Sequence, residues 1–150
     1  MTNTSPKSKG LIDSKIDVKV KLASLWASLM FLYIYCDFFD MMSPGNIESK
    51  INLTTPVGPV TPQLLVIFSL ILIVPTLMIC LSTLLKPRVN KWLNIIVAIV
   101  WSSMSFIILV WDIIDQSLPW SAFYDLFQLI EIVVFCIIVR TAWKWPKVEA

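Results

Sequence analysis

Histidine is absent from this sequence, and glycine, cysteine and charged residues are scarce. Without histidine the chain lacks the commonest metal ligand and general base, which argues against a haem, a catalytic zinc ion or a Ser–His pair. The three glycines lie far apart, so no glycine-rich loop is present to cradle a phosphate. The three cysteines form no CxxC pair, so neither a disulfide framework nor a dithiol redox relay is expected.

These absences leave few routes to catalysis. Whether the chain is an enzyme stays open, but the composition leans towards a protein without catalytic residues, a metal site or a cofactor. The basic residues adjoin apolar runs and form no separate basic surface, so they indicate contacts with anionic lipids and not with a nucleic acid.

Apolar residues dominate what remains. They make up 57% of the 150 residues, while charged residues account for 15%, against about a quarter in a typical soluble domain. The apolar runs are also too long for the buried helices of a soluble core. The sequence therefore predicts an all-α integral membrane protein, a four-helix transmembrane bundle whose first partner is the lipid bilayer.

Four spans are predicted, at about residues 20–39, 64–85, 92–111 and 120–142. Together they form a membrane domain over 20–146, preceded by a polar, flexible tail over 1–19 and followed by a short tail over 147–150. The 40–63 loop is dense in proline and glycine, so its second half is expected to hold neither regular helix nor sheet. KPRVNK, residues 86–91, is typical of a tight basic turn between the second and third spans.

The basic residues predict the orientation of the spans. With both termini and the 86–91 turn on the cytoplasmic side, every Lys and Arg except Lys50 falls on that side. This agrees with the positive-inside rule and with an even number of spans. We therefore expect cytoplasmic N- and C-termini and a multi-pass protein of a prokaryotic cytoplasmic (inner) membrane.

A carboxylate, Glu131, lies near the middle of the fourth span. A charged group at that depth costs about 3 kcal/mol on insertion scales, so it requires a partner or a proton. Gln128 lies one helical turn away, and Ser102, Ser105 and Thr76 lie at similar depths on other spans. We predict an intramembrane polar layer of these five residues.

Two interpretations of this layer stay open. In the first, Glu131 is a proton or cation relay or anchors a polar ligand; in the second, it is a protonated interhelical hydrogen-bond donor that fixes the packing. A second hypothesis concerns an outer rim of carboxylates, formed by Asp37, Asp112 and Asp125. Such a rim binds cations through oxygen ligands or is simply a solvated acidic surface, and the latter is favoured.

Asn90 and Asn94 flank Trp92 at the start of the third span. We expect their amides to hydrogen-bond the cytoplasmic ends of the bundle; the alternative is a polar cap at the start of a helix. Trp101 is the exception among the tryptophans near the spans, because it lies near mid-span and not at an interface.

Several phrases together resemble a known family: KVKLASLWASLMFLYIYCDFF, MMSPG, VPTLMICLSTLL, PRVNKWLNII, IEIV and AWKWP. The chain is similar over about residues 18–146 to an uncharacterised family of small, mainly bacterial and archaeal four-span membrane proteins. That resemblance implies four spans and no particular chemistry. A fainter, fold-level resemblance to DoxX-type four-helix membrane proteins implies a respiratory-chain or quinone accessory role.

Three hypotheses for function follow. The first is a non-enzymatic membrane component that acts by helix packing with itself, as a homo-oligomer, or with a larger membrane partner. The second is a small proton- or cation-linked transporter or channel subunit that uses Glu131. The third is a membrane redox or quinone accessory protein that uses Asp37 and the other outer carboxylates.

Overall fold

The computed structural model describes residues 15–55, 58–115, 120 and 122–146. Most of the predicted 1–19 tail and the whole of the 147–150 tail lie outside the described residues. The described part contains five helices and one small two-stranded sheet: α1 (Val18–Asp40), α2 (Asn46–Ile51), β1 (Thr54–Thr55), β2 (Gly58–Pro59), α3 (Pro62–Leu84), α4 (Pro87–Asp115) and α5 (Ala122–Trp143).

Four of these helices, α1, α3, α4 and α5, are long and apolar enough to cross a membrane. This confirms the predicted all-α, four-span architecture. α1 and α4 extend beyond the predicted spans at both ends, whereas α3 and α5 differ from theirs by one or two residues at each end. The four helices alternate in direction. The first residues of α1 and α4 and the last residues of α3 and α5 therefore lie at the same end of the bundle, which we call the basic end. We call the opposite end the acidic end.

Local sequence explains where the helices begin. Asp17 caps α1 by accepting a hydrogen bond from the Lys19 amide at 2.7 Å, and Thr61 caps α3 by accepting one from the Leu64 amide at 3.1 Å. Pro87 begins α4 directly, because a proline in the first turn loses no helical hydrogen bond. The prediction of a turn over residues 86–91 was therefore wrong beyond Lys86.

The loop between α1 and α3 has more regular structure than expected. Residues Thr54–Thr55 pair with Gly58–Pro59 in an antiparallel sheet, and the short helix α2 precedes them. Proline is tolerated in β2 because a two-stranded sheet consists only of edge strands. Before α2, Gly45 adopts a φ of 83°, a left-handed conformation that favours glycine. The expectation that this stretch holds no sheet was wrong.

The packing of the helices is uneven. α5 packs extensively against α4 and also against α1, and α1 packs against α3, whereas α3 and α4 make few contacts with each other. The apolar core lies mainly towards the basic end, where Leu22, Trp26, Met78, Phe135 and Ile138 are fully buried or nearly so. Trp26 and Phe135 meet edge to face with their ring centroids 6.0 Å apart. This core leaves the acidic half of the bundle interior to polar residues.

Candidate functional site: a polar cavity around Glu131

Glu131 lies inside the bundle, with only 1% of its surface exposed. It is nine residues from the start of α5, which places it about 14 Å along the helix from the acidic end. Ser105 of α4 donates a hydrogen bond from its hydroxyl to Glu131 Oε2 at 3.0 Å. α4 and α5 are thus joined at this depth by a hydrogen bond between two buried side chains.

A cavity of about 140 Å³ adjoins this contact. All four spanning helices line it, so it lies on the axis of the bundle. Its polar side chains come from three helices: Tyr33 and Asp37 of α1, Trp101 and Ser105 of α4, and Tyr124, Gln128 and Glu131 of α5. Cys36, which is almost completely buried, also lines it.

Two polar atoms in the cavity wall have no hydrogen-bond partner among the described residues. They are the indole nitrogen Nε1 of Trp101, a donor, and the amide oxygen Oε1 of Gln128, an acceptor. Buried polar atoms are nearly always paired, and those that are not are commonly found where water or a ligand binds. The cavity therefore offers one free donor and one free acceptor beside a carboxyl group.

The cavity reaches the surface at Asp37. This residue lies one turn before the end of α1 and its side chain is exposed. Its carboxylate is close enough to Glu131 for an electrostatic interaction between the two. Towards the basic end the interior is closed, because Trp26, Leu29, Met78 and Phe135 are fully buried and apolar. Glu131 is thus connected to one end of the bundle only.

The structure brings together three of the five residues of the predicted polar layer. Glu131, Gln128 and Ser105 line one cavity. Ser102 lies three residues before Ser105, a rotation of about 60° around the helix, and it lines a different cavity between α4 and α5. Thr76 is exposed, and its hydroxyl donates to the Leu72 carbonyl at 2.8 Å and contacts the sulfur of Met30 at 3.5 Å.

The three predicted rim carboxylates do not share one site. Asp37 lines the cavity, while Asp125 is half-buried in the first turn of α5, and its Oδ1 has no partner in the described part of the chain. Asp112 lies near the end of α4. Asp40, which is not one of the three, pairs with Lys50 at 2.8 Å. Within the described ranges, no group of three or more acidic or cysteine side chains is arranged to hold a metal ion.

Sequence reasoning did not assign Tyr33, Cys36 or Trp101 to this site. Tyr33 belongs to an aromatic cluster that is typical of a membrane interface. Cys36 is a small uncharged residue in an apolar helix, which is typical of a residue that only packs against its neighbours. The signal that was available was the position of Trp101, which is too deep for an interfacial anchor. The structure places Trp101 in the cavity wall, where its indole nitrogen is buried and has no partner among the described residues.

A second polar cluster lies near the basic end. Trp26 Nε1 donates to Asn94 Oδ1 at 2.7 Å, and the Ser82 hydroxyl donates to the same oxygen at 3.2 Å. Asn94 Nδ2 donates to the carbonyl and to Oδ1 of Asn90, at 2.9 and 2.6 Å, and Asn90 Nδ2 donates to the Ser82 carbonyl. This network joins α1, α3 and α4, and it confirms the prediction that Asn90 and Asn94 hydrogen-bond the ends of the bundle.

Comparison with known proteins defines the family but no chemistry. No curated protein and no solved structure matches the chain. The fold-level resemblance to DoxX-type proteins therefore stays a prediction. A model of an uncharacterised family, in agreement with the resemblance found in the sequence, matches residues 12–150. The chain belongs to this family, the family of unknown function DUF6326, and is a multi-pass membrane protein with four spanning helices.

Proposed function

We propose that this protein is a proton-linked membrane component in which Glu131 exchanges protons with the acidic end of the bundle through the polar cavity. The observation that carries the proposal is the connection of a buried carboxyl group to the surface by a cavity whose wall holds unpaired polar atoms. A carboxyl group inside a membrane domain is by default a functional group, because its burial is costly.

The cavity is large enough for water to reach Glu131. Its volume of about 140 Å³ exceeds the roughly 30 Å³ that each water molecule occupies in the liquid. Trp101 Nε1 and Gln128 Oε1 provide the polar partners that a water molecule requires in an apolar interior. Short water chains of this kind carry protons between carboxyl groups, here between Asp37 and Glu131.

The closed apolar core argues against a permanently open channel. Between Glu131 and the basic end, the packed rings of Trp26 and Phe135 exclude water from the axis of the bundle. Transport to the other side would therefore need a rearrangement of the helices. α3 is the candidate for movement, because it has the smallest buried fraction of the four spans and few contacts with α4.

A non-enzymatic packing role is the second candidate, and one observation favours it. α3 exposes apolar side chains around most of its circumference, including Val66, Phe68, Leu70 and Leu77. Such a helix packs against lipid, a second copy of the chain or a larger membrane partner. In that role Glu131 serves only as an interhelical hydrogen-bond partner of Ser105.

We further propose that the basic end faces the cytoplasm of a prokaryotic cell and that the protein lies in the cytoplasmic membrane. The distribution of Lys and Arg supports this orientation, since Lys50 is the exception at the acidic end. In a chain whose three cysteines are replaced by serine, Ser49→Cys should react with a membrane-impermeant thiol reagent on intact cells. Lys86→Cys should not react, and the opposite pattern would reverse the orientation.

The experiment that tests the proton-linked role is hydrogen–deuterium exchange of the Glu131 carboxyl group, followed by infrared spectroscopy in lipid bilayers. The carboxyl band that is lost in Glu131→Gln is assigned to Glu131. At a pH where the band is present, we expect it to shift rapidly in D₂O, because the cavity admits water. A band that resists exchange for as long as the backbone core would support the packing role instead.

A matched pair of variants shows whether the cavity is the route. Cys36→Phe places a ring in the cavity, and we expect it to slow exchange at Glu131. Cys80→Phe is the same substitution at an exposed position on α3, and it should leave the rate unchanged. Circular dichroism verifies that both variants fold. Equal exchange rates in both would rule out access through the cavity.

A further inference from the structure

A second, larger cavity lies between α4 and α5 in the basic half of the bundle. It has a volume of about 440 Å³, within the range of about 300–1,000 Å³ in which small organic ligands bind. Its lining comes from these two helices alone, so it faces the side of the bundle and not its axis. We call it the α4–α5 groove.

The groove is apolar along its length and cationic at one end. Ala98 and Ser102 are small residues one turn apart on α4, and they leave room beside Phe135 and Cys136 of α5. At the basic end, Arg140 and Lys144 line its mouth together with the Trp143 ring. This is the polarity of an amphiphile, with an apolar body inside the membrane and an anionic group at its surface.

The two cations at the mouth have no polar partner in the described part of the chain. Within residues 15–55, 58–115, 120 and 122–146, neither the Arg140 nor the Lys144 side chain forms an ion pair or a hydrogen bond. Lys91 is different, because it donates to the Trp143 carbonyl at 3.0 Å and lies 5.2 Å from the centroid of the Trp143 ring. The local interactions of the basic end thus fix Lys91 and the indole, whereas Arg140 and Lys144 have no ion-pair partner among the residues that the structure describes.

We propose that the α4–α5 groove binds one anionic phospholipid. Its phosphate lies between Arg140 and Lys144, and one acyl chain lies along the groove beside Ser102 and Cys136. Guanidinium and ammonium groups are the usual partners of phosphate, and basic pockets between spanning helices commonly bind anionic headgroups. A soluble anion would leave the apolar part of the groove unfilled, and a neutral lipid would carry no net negative charge to pair with Arg140 and Lys144. The proposal does not rest on the role of Glu131.

The test is titration of the purified full-length protein, in micelles of a neutral detergent, with phosphatidylglycerol, while the thermal unfolding midpoint is recorded. Native mass spectrometry of the same samples counts bound lipids. We expect one tightly bound phosphatidylglycerol that raises the midpoint, and a much weaker effect of phosphatidylcholine. In the double variant Arg140→Gln/Lys144→Gln, the apparent affinity for phosphatidylglycerol should fall roughly thirtyfold.

Two controls separate this site from general attraction. Lys86→Gln/Arg88→Gln removes the same charge from the same end of the bundle outside the groove, and it should retain nearly all of the affinity. Ser102→Leu fills the groove without a change of charge and should weaken binding, whereas Ser24→Leu, at an exposed position of α1, should not.

Three results would overturn the proposal. Equal losses in the two double variants would mean that anionic lipids are attracted to the whole basic end. Stabilisation by inorganic phosphate alone, sensitive to Arg140→Gln/Lys144→Gln, would assign the site to a soluble anion. Unchanged lipid binding in Ser102→Leu would mean that the acyl chain does not lie in the groove.

Discussion

The two polar clusters inside the bundle contain similar side chains but differ in how completely their atoms are paired. Near the basic end, Trp26, Ser82, Asn90 and Asn94 satisfy one another across three helices. Around Glu131, one hydrogen bond to Ser105 is accompanied by an unpaired indole nitrogen on Trp101 and an unpaired amide oxygen on Gln128. Each cluster places one tryptophan nitrogen in the interior; that of Trp26 has a protein partner, and that of Trp101 has none among the described residues.

This difference separates structure from function. A paired network in an apolar interior fixes the relative positions of helices, because each broken bond would leave a buried polar atom unsatisfied. An unpaired cluster contributes less to stability than its burial costs, so it persists where water or a ligand supplies the missing partners. The Asn94 network therefore stabilises the fold, whereas the Glu131 cavity is the site of the proton exchange that we propose, and substitutions in the two clusters should behave differently.

The largest expected effect is that of Asn94→Leu. The change leaves the Trp26 indole nitrogen, the Ser82 hydroxyl and the Asn90 amide oxygen without their partner. We expect a loss of about 2–4 kcal/mol in the free energy of unfolding. Reversible unfolding with sodium dodecyl sulfate in mixed micelles measures it. Asn52→Leu, at an exposed loop position, is the control and should change the value by less than about 0.5 kcal/mol.

A smaller effect is expected from the same substitution in both clusters, Trp26→Phe and Trp101→Phe. Each removes an indole nitrogen; Trp26 Nε1 is hydrogen-bonded to Asn94, whereas Trp101 Nε1 has no partner in the part of the chain that the structure describes. Trp26→Phe should therefore destabilise the protein by about 1 kcal/mol more than Trp101→Phe. The measurement is again the free energy of unfolding. Equal losses would mean that the pairing seen in the two clusters does not govern stability.

The smallest effect on stability is expected from Gln128→Leu. An apolar side chain of similar size removes an unpaired buried acceptor, so the free energy of unfolding should change by less than about 1 kcal/mol or increase. Exchange of the Glu131 carboxyl proton, followed by infrared spectroscopy, should nevertheless slow, because the cavity loses a partner for water. A loss of stability as large as that of Asn94→Leu would mean that Gln128 stabilises the fold, as the Asn94 network does.

Particular residues show how far sequence reasoning reaches into the site. Glu131 and Gln128 lie on one face of α5 because of their three-residue spacing, and the depth of Ser105 made it a candidate partner. Ser102 was grouped with them for its depth and its closeness to Ser105 on the helix, yet its position around α4 places it in the α4–α5 groove. Thr76 was chosen for its depth, but its hydroxyl is satisfied within its own helix. The depth of a residue in the membrane follows from its position along the span, whereas the neighbouring helix that its side chain faces does not.

The sequence by itself determined the number of spans, their order, their alternating direction and the concentration of positive charge at one end. These properties follow from the length of apolar runs and from the charges between them, which act on each helix separately. Only the tertiary structure decided which polar atoms meet. The spans are apolar nearly all round, so no amphipathic pattern orients them, and their rotation is set by the packing of side chains from different helices. That packing paired Trp26 with Asn94, and it left Trp101 and Gln128 beside Glu131 with unpaired polar atoms.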